Sequence, residues 1–197
     1  MRIGVDFDNT IVCFDTLFYA EALRKKLISN ETPANKLAVR EALRSRWGDL
    51  VWTELQGTIY GEKIQDAQPY EGVKAFFSAA KDKGHEVFVI SHKTQTPALG
   101  PAHDLHAAAR NWLQSQTFFS DLGLKEEHAF FETSIAGKIE RIQKMKCEIF
   151  IDDLVEFLAH PDFPSTVDRI LFSPSALQPH IPFRQATSWS QIQNWII

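Results

Sequence analysis

Asp6 and Asp8 stand two residues apart at the end of a short apolar run, Ile3-Gly4-Val5. On a regular strand that spacing puts both carboxylates on one side. A second acidic pair, Asp152-Asp153, closes another apolar run, Glu148-Ile149-Phe150-Ile151. Carboxylates brought close together repel, and a shared proton or a bound cation relieves them. Four acids at one mouth are costly without a hard divalent ion. Magnesium suits them best, because it takes oxygen ligands, keeps a few waters and pairs with phosphate. One carboxylate can then act as a nucleophile toward phosphorus, and another can protonate the leaving alcohol and later activate water. Ser91 ends a third apolar run, Glu86-Val87-Phe88-Val89-Ile90, and offers its hydroxyl to a phosphate oxygen. Phosphoryl transfer also asks for positive charge on the phosphate oxygens. Lys138, at the start of a predicted helix, is the first choice, and the helix amides add favourable dipoles. Lys93, two residues past Ser91, is the alternative, and His92 between them is a candidate substrate contact.

The elements that must position these residues follow from the apolar spacing. Strands are expected at 3–5, 86–90, 129–131, 148–151 and 167–172. Helices are expected at about 16–28, 36–50, 73–81, 103–114, 137–145 and 188–197, with one or two more between 52 and 66. Gly84 is well placed to cap the 73–81 helix. Strands separated by helices imply an α/β fold with parallel pairing and right-handed crossovers. About 70 residues separate the first strand from the second, far more than one crossover helix needs. The surplus, 15–66, reads as a mostly helical insertion. In an open parallel sheet the ligand site lies beyond the carboxyl ends of the strands. Three strands end there in Asp6, Ser91 and Asp152-Asp153.

The 197 residues, 44% hydrophobic and 23% charged, suit one folded core with a modest insertion. A net charge of −4 and the lack of a basic stretch argue against a nucleic-acid partner. Cys13 and Cys147 are too few for a zinc site or a disulfide framework and read as buried, reduced thiols. No apolar run reaches the roughly 18 residues of a membrane span, and no charged leader precedes the first strand, so the expected compartment is the cytoplasm.

Taken singly, Ser91 reads as a turn residue, Asp152 as a helix cap and Lys138 as a solvated helix residue. Their joint order changes that reading. Asp6-Phe7-Asp8-Asn9-Thr10, the strand ending in Ser91, Lys138, and the strand ending in Asp152-Asp153 resemble the four ordered motifs of the haloacid dehalogenase-like hydrolases. The resemblance implies a Rossmann-like three-layer core over 1–14 and 67–197, with a helical cap at 15–66. It implies Asp6 as nucleophile and Asp8 as general acid/base, a role the dehalogenases lack. It implies Mg2+ held by Asp6, the backbone carbonyl of Asp8, and one or both of Asp152 and Asp153. Ser91, His92, Lys93, Asn9 and Thr10 become the candidate substrate-binding residues, and Lys138 or Lys93 the phosphate-neutralising lysine. The expected partner is a small phosphorylated metabolite. In the insertion, Arg40, Arg44, Arg46, Trp47, Trp52 and Lys63 are the side chains available to touch it. A phosphomutase or a narrow nucleotidase would use the same apparatus, and a non-catalytic phosphate- or metal-binding module is the rival from another class.

Overall fold

Ile3, Val5, Val87, Val89, Ile149 and Ile151 alternate with Gly4, Phe88, Ile90 and Phe150, so these strands are apolar on both faces. Such strands need cover on both sides, which parallel sheets obtain from crossover helices. The computed structural model, which describes residues 1–197, has this arrangement in one of its two compact units, Met1–Val12 with Pro69–Lys93 and Leu113–Ile197. The sheet strands are β1 (Arg2–Val5), β2 (Glu86–His92), β3 (Ala129–Glu132), β4 (Ile149–Asp152), β5 (Asp168–Phe172) and β6 (Arg184–Ala186). All pairs are parallel, in the order β3-β2-β1-β4-β5-β6. The order reverses direction at β1, between β2 and β4, which is where open α/β sheets bind ligands.

The helices in chain order are α1 (Asp15–Arg24), α2 (Lys36–Trp47), α3 (Asp49–Tyr60), α4 (Val73–Asp82), α5 (Leu105–Ser115), α6 (Ile135–Lys144), α7 (Val155–Leu158) and α8 (Trp189–Ile196). On one face of the sheet, Ile139 and Ile142 of α6 and Phe157 and Leu158 of α7 share a buried cluster with Phe88, Ile90, Phe150 and Leu171. On the other face, Trp189 of α8 packs between Phe76 of α4 and Phe172 of β5, with ring centroids 5.0 and 5.7 Å apart. The fold is therefore a three-layer, Rossmann-like α/β sandwich. The second unit, Cys13–Gln68 with Thr94–Trp112, has its own aromatic centre. There Phe18 stacks on Trp52 at 4.9 Å and Phe14 meets Tyr60 edge-on at 5.0 Å.

Three expectations change. Residues 94–112, read from sequence as part of the 67–197 core, group with the helical unit. The contacts explain it: Gly57 of α3 lets the backbone of Leu99 approach, Gly61 leaves room for the side chain of His103, and the Trp112 indole donates to the Ala67 carbonyl at 2.9 Å. The sheet has a sixth strand at Arg184–Ala186, whose polar Arg-Gln edge sequence carries no apolar signal. Cys13 is only half-buried, whereas Cys147 is buried and its thiol is pushed up to about 12 by that burial. Element ends also shift. Helix α1 stops at Arg24, with Lys26 in the left-handed region at φ 57°, and α2 stops at Gly48, where φ is 85°.

Gly4 sets how closely β1 and β4 can carry their ends. A Cβ there would clash with Cδ2 of Phe150, whose ring packs beside Phe157 and Phe163. Gly4→Ala is expected to cost about 1–3 kcal/mol through overpacking. A urea titration should show a lower midpoint with an unchanged slope; an unmoved midpoint would mean that this contact is not tight.

Candidate active site

Val5 pairs with Ile151 across the β1–β4 ladder, and the amide of Asp6 continues it by donating to the Ile151 carbonyl at 2.9 Å. Asp6 and Asp152 therefore leave the sheet side by side. Carboxylate oxygens of Asp6, Asp152 and Asp153 come within 4.8 Å of one another. Asp152 is fully buried, Asp6 nearly so, and Asp153 is half-buried at the rim. Asp152 is fixed from behind, because its Oδ1 accepts the amide of Leu154 at 2.8 Å.

Lys138 answers these charges. Ser134 caps α6 by accepting the Gly137 amide at 3.0 Å, so the helix starts at Ile135 and Lys138 lies in its first turn. The side chain, 3% exposed, runs inward and places Nζ 2.6 Å from Asp6 Oδ1 and 2.6 Å from Asp152 Oδ2. Its ammonium also lies 4.0 Å from the centre of the Phe157 ring and 5.4 Å from that of Phe150, where the negative ring faces favour a cation. Burial disfavours its charge, but Asp152 and Asp6 outweigh burial and hold the amine well above its ordinary range. Burial pushes the carboxyl of Asp152 up to about 6; Lys138 opposes the shift and Asp6 adds to it.

The other strand end brings Ser91, which is 1% exposed and whose hydroxyl has no hydrogen-bond partner. A buried hydroxyl left in that state costs about 1–3 kcal/mol, so it is available to a ligand oxygen. Lys93 continues the β2–β3 ladder, its amide donating to the Glu132 carbonyl at 2.8 Å. Its Nζ meets both oxygens of Asp8, at 2.9 and 2.6 Å.

A hydrolase from Geobacter sulfurreducens assigned to the haloacid dehalogenase superfamily superposes with a TM-score of 0.60, over 100% of this chain and 96% of its own, at 11% identity. This chain has the fold of the haloacid dehalogenase-like hydrolases. A predicted phosphatase from Clostridium acetobutylicum (TM-score 0.59, 12% identity, 99% of this chain and 97% of that one) shares it. So does a hydrolase of the same superfamily from Bacillus subtilis determined with bound magnesium (TM-score 0.56, 12% identity, 99% and 97%). No family model and no curated protein sequence matches the chain.

Within this haloacid dehalogenase-like fold the motif residues separate into two groups. Asp6, Asp152, Asp153 and Lys138 form one, and Asp8 with Lys93 the other. The carboxylate of Asp8 is thus engaged by Lys93 and stands outside the three-aspartate cluster. The reason is the turn after β1: the Ile11 and Val12 amides both bond to the Phe7 carbonyl, and Asn9 is left-handed at φ 58°. Thr10 is buried, its hydroxyl also lacks a partner, and its carbonyl accepts the Trp189 indole at 3.1 Å. His92 is exposed, because it points away from the side shared by its buried neighbours Ser91 and Lys93.

The helical-unit candidates are mostly occupied elsewhere. Arg44 pairs with Asp49 at 2.6 Å, Trp47 donates to the Leu27 carbonyl at 2.9 Å and stacks under Arg46, and Trp52 lies on Phe18. Lys63 stands 3.9 Å from Glu62, while the Nε of Arg40 is buried and lacks a partner. Sequence reasoning missed the Phe150–Phe157 seat under Lys138 and the Trp189 hold on Thr10. Phe157 had a signal, four residues after the acidic pair on a short helix; Trp189 had none, being 179 residues from its partner.

Lys138→Met tests the central ion pair without any substrate. It leaves two buried carboxylates without their shared cation, which costs about 3–5 kcal/mol at neutral pH. A carboxyl whose folded pKa lies above its unfolded value loses stability as pH rises between the two, so the deficit should shrink from neutrality toward about pH 4. Urea midpoints at several pH values check this; a pH-independent deficit would contradict it.

Proposed function

We propose that this chain hydrolyses a small phosphomonoester, dependent on magnesium and with Asp6 as nucleophile. The observation that carries the reading is the meeting of Asp6, Asp152 and Asp153 within 4.8 Å at two neighbouring strand ends, with one ammonium 2.6 Å from two of them. The donor set fits a hard ion, being all oxygen. Asp6 and Asp153 would hold magnesium, with Asp152 and the backbone carbonyl of Asp8 completing the protein's share. Bound there, the ion supplies charge neutralisation to the phosphoryl oxygens.

The rest of the chemistry belongs to the chain. Lys138 grips Asp6 through Oδ1, which leaves Oδ2 to attack phosphorus. Attack forms an aspartyl-phosphate and releases the alcohol, whose oxygen takes a proton from Asp8. Asp8 then draws a proton from the water that opens the aspartyl-phosphate, restoring Asp6 and freeing inorganic phosphate. Ser91 gives its unpartnered hydroxyl to a phosphoryl oxygen, and Lys138 offsets charge that grows there in the transition state. The helical unit, inserted in chain order partly between β1 and β2 and partly after β2, is the part of the chain available to select the leaving group. The carboxylate at position 8 supports this reading over a dehalogenase, an activity also found on this fold.

Turnover of p-nitrophenyl phosphate with magnesium, lost on chelation and lost in Asp6→Asn, is the expected result. Asp6→Asn should keep its circular dichroism spectrum, since the amide oxygen can still accept from Lys138. Near-normal turnover by that variant would overturn the covalent mechanism.

A further inference from the structure

We propose that Lys93 is the positioning residue of Asp8, acting on the acid/base step and not on phosphate binding. The inference rests on the phosphatase reading, in which Asp8 carries the proton. The side chain of Asp8 extends from the turn beside left-handed Asn9 and is 20% exposed. Lys93 holds that side chain. Its ammonium reaches both carboxylate oxygens, at 2.9 and 2.6 Å, and so limits rotation of the carboxylate as well as its reach.

Lys93 is itself well anchored. Its side chain is 3% exposed, its amide is tied to the Glu132 carbonyl at 2.8 Å, and its ammonium lies 5.7 Å from the centre of the Phe7 ring. Phe7 in turn meets Phe131 edge-on at 5.5 Å, which couples the turn after β1 to the strand beside Lys93. The two buried lysines thereby divide the work. Lys138 serves the nucleophile and Asp152, while Lys93 serves Asp8. A buried lysine with no task but phosphate binding would lack a counter-charge until substrate arrived, whereas Lys93 has one in Asp8 before substrate binds.

A residue that acts through Asp8 should change kcat and leave KM nearly alone. The full chain with magnesium is assayed on p-nitrophenyl phosphate and on glycerol phosphate, whose alkoxide leaves poorly without a proton. Lys93→Met is expected to lose about tenfold to a hundredfold in kcat, more on glycerol phosphate than on the aryl ester. Lys93→Arg should recover most of that loss, because a guanidinium can still grip two oxygens. In the slow aryl-phosphate turnover left by Asp8→Asn, adding Lys93→Met should cost little more, as for residues that act as a unit. If Lys93→Met is unfolded, Lys93→Gln, which keeps a polar head but neither the charge nor the grip on two oxygens, carries the same comparison alone and combined with Asp8→Asn. Equal losses in both backgrounds overturn the proposal, as does a raised KM and a raised inhibition constant for inorganic phosphate at unchanged kcat. Wild-type protein inactive on both esters would overturn the phosphatase reading and this role with it; active wild type with additive losses overturns this role alone.

Discussion

Two short parallel strands, four residues each, end in carboxylates that would repel one another if a single ammonium did not lie between them. Lys138, 2.6 Å from Asp6 and from Asp152, makes that meeting tolerable, and much of the core is arranged to put it there. Ser134 starts α6 at the right residue, Phe150 and Phe157 give the ammonium a favourable seat, and Gly4 lets the Phe150 ring lie against β1. A charge this deeply buried is costly when unpaired, so the pair is as much a constraint on the fold as a part of the chemistry.

The same constraint shapes the polar lining. Buried hydroxyls usually find partners within the protein. At Ser91 and Thr10 they do not, and both stand in the segments that carry the acidic motif and the second strand end. In the proposed reading, that unmet hydrogen-bonding capacity is what a charged ligand takes up. The second ion pair, Asp8 with Lys93, keeps the remaining acid from joining the first cluster. Acids of one motif are thus given different surroundings, which is how two carboxylates two residues apart can hold different roles.

Much of this was legible in the residues. Asp6, Ser91 and Asp152 could be placed at strand ends because Ile3–Val5, Val87–Ile90 and Ile149–Ile151 are apolar on both faces, as buried parallel strands are. Lys138 could be ranked above Lys93 as the phosphate-neutralising lysine because it falls at the start of a predicted helix. What could not be read was set by contacts distant in sequence. Strand β6 is polar and owes its existence to pairing with β5. The 94–112 segment follows the helical unit because Gly57 and Gly61 admit it, and a glycine in a helix pattern does not announce what will press against it. The partition of the two lysines likewise depends on the left-handed turn at Asn9, which no spacing rule supplies.

The account stands on Asp6 as the atom-bearing partner in phosphoryl transfer, and chemical trapping addresses it directly. Quenching the magnesium-loaded protein during turnover of an aryl phosphate and reducing with borohydride converts an aspartyl-phosphate to homoserine. Peptide mass spectrometry should then find homoserine at position 6 and nowhere else. Phosphate released with no homoserine at position 6, or with the modification at Asp8 or Asp153, would contradict the mechanism.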